Sequence, residues 1–267
     1  MKTVRKKISA SEQNTIIGGT MFQVEKVTAE LIKWIQDWFE ENGKGCNAVI
    51  GISGGKDSSI VAALCVEALG KDRVVGILMP NGEQCDIDDS RQLVEHLGIR
   101  NYTSNIKEAY DNTLASIKAA GLEPSAQAVL NLAPRLRMTT LYAFSQTLNG
   151  RVANTCNLSE DWIGYSTRYG DSAGDFGPVA GLTVEEVLQV GDYLGVPHNL
   201  VHKVPSDGLS GMSDEDKIGF TYAVLDKYIR TGVCEDADTK AKIDRMNRMN
   251  AFKLKPLPFY KPDKELL

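Results

Sequence analysis

Ala48-Val49-Ile50-Gly51-Ile52-Ser53-Gly54-Gly55-Lys56-Asp57-Ser58 starts as an apolar run, turns through two adjacent glycines and enters a helical pattern that extends to Leu69. An uninterrupted run of Ala, Val and Ile reads as a short strand covered on both faces. Gly54 and Gly55 let the backbone approach an anion closely, and the helix N-terminus just beyond offers free N–H groups and positive dipole. Ser53 and Ser58 add hydroxyls, and Lys56 adds a charge. Asp57 beside a phosphate makes chemical sense once a metal is supplied, because Mg2+ draws hard oxygen ligands from carboxylate and polyphosphate alike. The stretch is not G-x-x-x-x-G-K-[ST], since Gly51 and Gly55 are too close and Lys56 precedes Asp57. It is not the G-x-G-x-x-G of a dinucleotide grip either. A glycine turn with no ligand is the plain alternative; the complete string Gly51, Ile52, Ser53, Gly54, Gly55, Lys56, Asp57, Ser58 at the end of a buried strand favours an anion site.

Outward from this turn the pattern alternates. Val24, Val27, Leu31, Trp34, Ile35, Trp38 and Phe39 recur at three- and four-residue steps, which predicts an amphipathic helix over 24–41, stopped by Asn42-Gly43-Lys44-Gly45. Residues 73–79 predict a second buried strand. A helix starts among Asp86, Asp88 and Asp89, whose carboxylates suit the positive end of a helix dipole, and runs to Leu97. Residues 102–106 predict a weaker strand, 108–120 and 125–148 two helices, and 150–154 another strand. Short strands separated by helices imply right-handed crossovers and an α/β fold, a parallel sheet with helices on both faces. Ligands of such sheets bind beyond the carboxyl ends of the strands. Residues 1–20 read as a polar leader and 21–267 as a single domain.

Composition narrows the function classes. The net charge of −5 argues against a general nucleic-acid binder. Five scattered cysteines with no C-x-x-C pair suit a reducing compartment and neither a disulfide framework nor a zinc site. The basic start lacks the apolar stretch of a signal peptide, and no run approaches the roughly 18 apolar residues of a membrane span. The expected location is the cytoplasm, with no membrane and no nucleic-acid partner.

The string S-G-G-x-D-S resembles the pyrophosphate-binding loop of the N-type ATP pyrophosphatases, of the adenine nucleotide alpha hydrolase-like fold. That superfamily cleaves ATP between the α- and β-phosphates and leaves AMP on the substrate. From about Trp34 to about Pro258 the chain further resembles the ammonia-dependent NAD synthetases. The stretch 80–89, P-N-G-E-Q…D-x-D-D, is similar to that family's segment after the second strand, and Asn131–Met138 to its N-x-x-A-R-x-R-M helix. Asn154-Thr155…Glu160, Tyr165–Asp175 and Lys203–Leu209 are similar to its G-T-x-x-x-x-E, nicotinate-lining and K-x-P-[ST]-A-D-L segments. The resemblance implies ATP-dependent amidation of deamido-NAD by ammonia through an acyl-adenylate. It implies Mg2+ at Asp57 and Glu160, and ATP contacts from the glycine loop, Thr155, Lys203 and Ser206. Arg135, Arg137, Arg168, Asp175, Phe252 and Lys253 become contacts to deamido-NAD; the catalytic groups are Asp57, through the metal, and Asp171, which would orient or deprotonate ammonium. A homodimer, with the 125–148 helix near its interface, is also implied.

The chain departs from the family pattern at three places. Val184 stands where a lysine often reaches ATP, so Lys203 or another cation is expected to do that work. Phe252-Lys253 replaces a His-Lys pair, and Leu78 replaces an arginine. His198 and His202 are spaced by four but lie between prolines without further ligands, and a metal site there is not expected. Residues 213–217 read as a solvated helix start and 220–229 as core packing. The competing readings are a tRNA-modifying ATP pyrophosphatase, which would carry a basic RNA-binding domain or paired catalytic cysteines, and a non-catalytic nucleotide-binding protein, against which Glu160 speaks. About 45 residues precede the first strand, too few for an amidotransferase domain, so free ammonia or a separate supplying chain is expected.

Overall fold

The computed structural model describes residues 16–17, 20–84, 87–203 and 213–263. In chain order the elements are β1 (Ile16–Ile17), β2 (Thr20–Met21), α1 (Val24–Asn42), β3 (Asn47–Gly51), α2 (Lys56–Leu69), β4 (Val74–Leu78), α3 (Ile87–Leu97), β5 (Arg100–Thr103), α4 (Lys107–Ala119), α5 (Ala126–Thr147) and β6 (Gly150–Val152). A helical C-terminal part follows, with α6 (Leu158–Ile163), α7 (Val184–Leu194), α8 (His198–Val201), α9 (Asp214–Ile218), α10 (Tyr222–Thr231) and α11 (Ala237–Asn250). No helix among the described residues is long and apolar enough to cross a membrane.

The main sheet has the order β5-β4-β3-β6, and every neighbouring pair is parallel. The chain steps from β3 through β4 to β5 in one direction. It then returns by α4 and α5 and lays β6 on the far side of β3. That reversal puts a crevice beyond the carboxyl ends of β3 and β6, the place where open parallel sheets bind ligands.

Side-chain alternation along β3 sends Ala48 and Ile50 to one face and Val49 to the other. On the first face Ala48 and Ile50 join Ile35 and Phe39 of α1, Ile60 to Cys65 of α2, and Val187 and Val190 of α7. On the second, Val49, Val75, Ile77 and Val152 pack with Leu141 of α5 and Ile106. Fully burying each such Ile, Phe or Leu is worth about 1.5–3 kcal/mol. Helix α2 is sheathed by α1, α7 and α8, which is why its run from Ile60 to Cys65 is apolar all round. A third cluster, Ile163, Val184, Ile218, Phe220, Tyr222, Leu225 and Ile243, binds the C-terminal helices to one another.

Two expectations shift. The weak strand expected at 102–106 is β5, Arg100–Thr103, an edge strand with all four residues exposed. Its position is set by pairing with β4, Val75 opposite Arg100 to Leu78 opposite Thr103, and not by burial. Buried Ile106 instead caps the start of α4. The polar leader ends in a two-residue antiparallel ladder, Ile16 opposite Met21 and Ile17 opposite Thr20. Cys85, Asp86 and the segment 204–212, which carries Ser206, lie outside the described residues.

Candidate active site

The glycine loop leaves β3 at the crevice. Gly54 has φ +76°, and a Cβ there would stand 3.0 Å from Asp89 Cβ and 3.1 Å from Ser90 N, so only glycine fits both the backbone and the space. Ile52 anchors the loop: its N–H donates to Ile77 O at 2.9 Å, and its carbonyl accepts from Ser90 Oγ at 3.3 Å. Ser53 is exposed, whereas Ser58 is buried. Ser58 accepts from Ser53 N at 3.4 Å and donates to Gly55 O at 3.2 Å, and Gly55 N donates to Ser53 Oγ at 3.2 Å. Ser58 therefore shapes the loop from beneath, its Oγ lying 3.1 Å from the hydroxyl of exposed Ser53.

Beyond the loop, α2 starts with Lys56 and Asp57. Lys56 Nζ lies 2.7 Å from Asp57 Oδ2 and 3.6 Å from Glu160 Oε1, with the lysine side chain only 6% exposed. Glu160 sits on the first turn of α6, which follows β6, so the two carboxylates come from the two strands that flank the topological reversal. Buried Asn157 joins them. It is the N-cap of α6, accepting from Glu160 N at 3.0 Å, while its Nδ2 donates to Asp57 Oδ1 at 3.0 Å.

The electrostatics follow from this packing. Burial works against a charge on Lys56, but Asp57 and Glu160 outweigh it and hold the ammonium above its ordinary value. Glu160 is pushed up to about 8 by burial and then by Asp57, with Lys56 pulling the other way. Asp214, at the start of α9, contributes negative potential to Lys56, Glu160 and Tyr222, and it accepts from Tyr165 Oη at 3.0 Å. Tyr222 is buried, and its phenol is held protonated by burial and by Glu160, Asp214 and Asp57; its hydroxyl has no hydrogen-bond partner among the described residues.

Asp214, Tyr222 and Asn157 are absent from the sequence-based site. The run 213–217 is a helix start, as expected, but Asp214 faces the crevice and not simply solvent. Tyr222 is core, as expected, yet it also lines the carboxylate cluster. Only the capping pattern Asn157-x-x-Glu160 was a usable signal.

The loop 165–175 lies against α5. Thr167 Oγ1 donates to Asn131 Oδ1 at 3.2 Å, Arg135 Nε donates to Arg168 O at 3.3 Å, and a Cβ on Gly170 would meet Pro134 Cβ at 2.9 Å. Tyr169 takes φ +63°, a strained conformation for an aromatic residue. The guanidinium of Arg168 lies 5.0 Å from the centroid of the Tyr169 ring and 5.4 Å from that of Phe252. Lys253 Nζ donates to Gly164 O at 2.7 Å and Ser166 O at 3.1 Å. Asp171 Oδ1 accepts from Thr167 N at 3.0 Å; desolvation raises its carboxyl, with hydrogen bonds from Thr167 and the charge of Lys253 opposing. Asp175 accepts from Val152 N at 2.7 Å and Tyr142 Oη at 3.2 Å, which fixes the loop to β6. Arg137 Nε donates to Met79 O at 2.9 Å, at the end of β4. Thr155 directly follows Asn154, whose amide donates to Asp171 O at 2.9 Å and Ala173 O at 3.2 Å.

Lys203 and Val184 have different fates. Lys203 Nζ pairs with Asp89 Oδ2 at 2.6 Å, and Asp89 is the residue packed against Gly54, so this cation stands beside the loop. Val184 is 6% exposed inside the C-terminal apolar cluster. A lysine at that position would have to leave the core to reach a phosphate.

For a metal, Asp57 and Glu160 offer hard oxygens. Among the described residues no group of three or more His, Cys, Asp or Glu side chains is arranged to hold an ion. Mg2+ commonly uses one or two carboxylates and takes its remaining ligands from water and phosphates, so this pair fits Mg2+ bound together with nucleotide. The raised Glu160 is consistent with a carboxylate that a second positive charge would relieve.

A parallel sheet of this order, with an S-G-G-x-D-S loop at its reversal point, defines an N-type ATP pyrophosphatase fold. The NAD synthase family model matches residues 27–257, and the chain belongs to that family. It is 40% identical over 206 residues to the NH3-dependent NAD+ synthetase of Pyrococcus furiosus, covering 77% of each chain. Among solved structures, NMN synthetase from Francisella tularensis superposes with a TM-score of 0.83 at 33% identity, over 90% of this chain and 99% of that one. The NH3-dependent NAD synthetase from Campylobacter jejuni gives 0.72 at 29% identity, over 90% and 100%.

Proposed function

We propose that this chain, an ATP-dependent carbon–nitrogen ligase of the NAD synthase family, amidates deamido-NAD with ammonia to give NAD, AMP and pyrophosphate. The observation that carries the reading is the meeting of Asp57 and Glu160 across the crevice, directly beside the glycine loop. Backbone N–H groups of the loop and the Ser53 hydroxyl hold the β- and γ-phosphates, with Lys203 alongside and Ser206 on the following segment. Asp57 and Glu160 would hold Mg2+ arriving with ATP, and the ion would supply positive charge to offset the phosphates. The substrate carboxylate attacks the α-phosphorus and pyrophosphate departs, leaving the acyl-adenylate. Ammonia then attacks the acyl carbon, AMP leaves, and one proton is released. Asp171, raised by desolvation, accepts a proton from ammonium or the attacking amine. Arg168, beside the rings of Tyr169 and Phe252, presents a cation to the substrate; Arg135, Arg137, Asp175 and Lys253 position the loops around it. Catalysis rests on positioning and charge stabilisation, and no nucleophilic side chain is needed. The chain acts as a homodimer with α5 at the interface: α5 buries only Leu141 and Ser145 within one chain, although apolar residues occur around its circumference.

A second reading concerns the acceptor. The higher TM-score to an NMN synthetase than to NAD synthetases favours nicotinate mononucleotide, whose amidation gives NMN by the same chemistry. The curated relatives at 37–43% identity are NAD+ synthetases, which keeps deamido-NAD first. Incubation with ATP, Mg2+ and ammonium, and with each acceptor alone and in competition, separates the two by mass spectrometry. Preferred conversion of deamido-NAD with AMP formation is expected. A preference for the mononucleotide supports the second reading, and ADP formation or no amide product overturns both. Glutamine in place of ammonium is expected to give no product.

A further inference from the structure

Lys56 occupies a position that a phosphate-binding lysine alone would not require. Its ammonium is buried against both carboxylates of the crevice, 2.7 Å from Asp57 and 3.6 Å from Glu160, and it lies over the Tyr222 ring at 5.9 Å from the centroid. Asp57 divides its two oxygens between Lys56 and Asn157. Lys56 thus offsets part of the negative charge that Asp57 and Glu160 present to the crevice. A divalent cation entering this cluster meets a fixed positive charge within a few ångströms, and at that range like charges repel strongly. ATP brings several negative charges to the adjoining loop and reverses that balance.

We infer that Lys56 is a built-in counter-ion that makes divalent-cation binding at Asp57 and Glu160 conditional on nucleotide, so that the metal is held only when ATP polyphosphate occupies the loop. The inference rests on the proposed reading of Asp57 and Glu160 as the metal-holding pair. The Tyr222 hydroxyl, buried and without a partner among the described residues, supplies a free donor on the same wall for an oxygen that arrives with the ligand. Removing the lysine charge leaves Asp57 and Glu160 without their positive partner and with demand for another cation.

The test is a titration of Mn2+ alone into the full-length chain, with free Mn2+ read by electron paramagnetic resonance, and its repetition with ATP present. Wild type is expected to bind Mn2+ weakly without ATP and much more tightly with it. Lys56→Met keeps the apolar stem against Tyr222 and is expected to bind Mn2+ without ATP at least about tenfold more tightly than wild type. Lys56→Gln is expected to behave like Lys56→Met, and serves if the methionine variant melts below the assay temperature. Lys56→Arg, which keeps the charge, is expected to resemble wild type. The double variant Lys56→Met with Asp57→Asn is expected to lose the gained binding, which assigns it to this site. Folded neutral variants that bind Mn2+ no better than wild type overturn the inference, as does wild type that binds Mn2+ equally well with and without ATP. Because no acceptor is present, neither result touches the ligase reading, which would fail instead in the product assay.

Discussion

Asp57→Asn is the perturbation from which the site has most to lose. The carboxylate accepts from Lys56 Nζ at 2.7 Å and from Asn157 Nδ2 at 3.0 Å. Removing one partner of a buried ion pair costs about 3–5 kcal/mol when nothing compensates. Here Glu160 remains 3.6 Å from Lys56, and the new side-chain carbonyl can still accept from Asn157. The expected loss of stability is therefore smaller, about 1–3 kcal/mol, the range of a lost hydrogen bond to a charged group. In a chain of this size that lowers Tm by roughly 2–10 °C, readable by calorimetry in EDTA. The effect on the reaction is larger, because a neutral amide is a poor ligand for Mg2+ and cannot balance its charge. ATP–pyrophosphate exchange, followed across a Mg2+ titration, should fall by on the order of 10²-fold, equivalent to about 2.7 kcal/mol of transition-state stabilisation. Exchange within a factor of about two of wild type at ordinary Mg2+ would remove Asp57 from the metal site. An unchanged Tm in EDTA would show that Lys56 does not depend on Asp57 for its burial.

Other positions give sharper structural tests. Val184→Lys forces an ammonium into the cluster of Ile163, Ile218 and Leu225, and should destabilise the fold by about 2–4 kcal/mol in urea unfolding; a variant as stable as wild type would show that the cluster opens at that point. Asp226→Ala strips the acceptor from Ser159 Oγ at 2.5 Å and Glu185 N at 2.9 Å, loosening α6 from α7 and α10. It should cost about 2–4 kcal/mol and raise the KM for ATP by displacing Glu160, and an unchanged KM would separate this network from the site. Lys203→Ala should reduce pyrophosphate exchange more than about tenfold, the worth of a charge-assisted contact to phosphate; wild-type exchange would remove Lys203 from the ATP contacts.

The sheet was legible wherever burial wrote it into the sequence. β3 and β4 are apolar on both faces, and α1 carries its three- and four-step pattern because one side packs Ile35 and Phe39 into the core. β5 could not be positioned that way. Its residues Arg100–Thr103 are exposed, and what fixes them is the hydrogen-bond register with β4 and the arginine side chain, which donates to Asp72 O at 3.2 Å and Asn47 Oδ1 at 3.3 Å. Edge strands are specified by their neighbour, and neighbours are not visible in a one-dimensional pattern.

The candidate site divides along the same line. The glycine loop is contiguous, so its residue types disclose their purpose together, and Glu160 is disclosed by its spacing from Thr155 within the resemblance. Lys56 could be read only as one more positive charge beside a phosphate, because nothing local shows that a residue 104 positions later shares its ammonium. Asp214 and Tyr222 looked like a solvated helix start and core for the same reason. Each is ordinary beside its sequence neighbours and acquires meaning only when α9 and α10 close over the β3–β6 crevice. The missing lysine at Val184 shows the converse. Read along the chain it looks like a lost ATP contact, but in the fold the position belongs to the packing of α7 against α6 and α10, and the cation beside the loop is Lys203, held in place by Asp89. Gly54 fixes the turn beside that lysine: its φ of +76° and close approach to Asp89 leave no room for any other side chain.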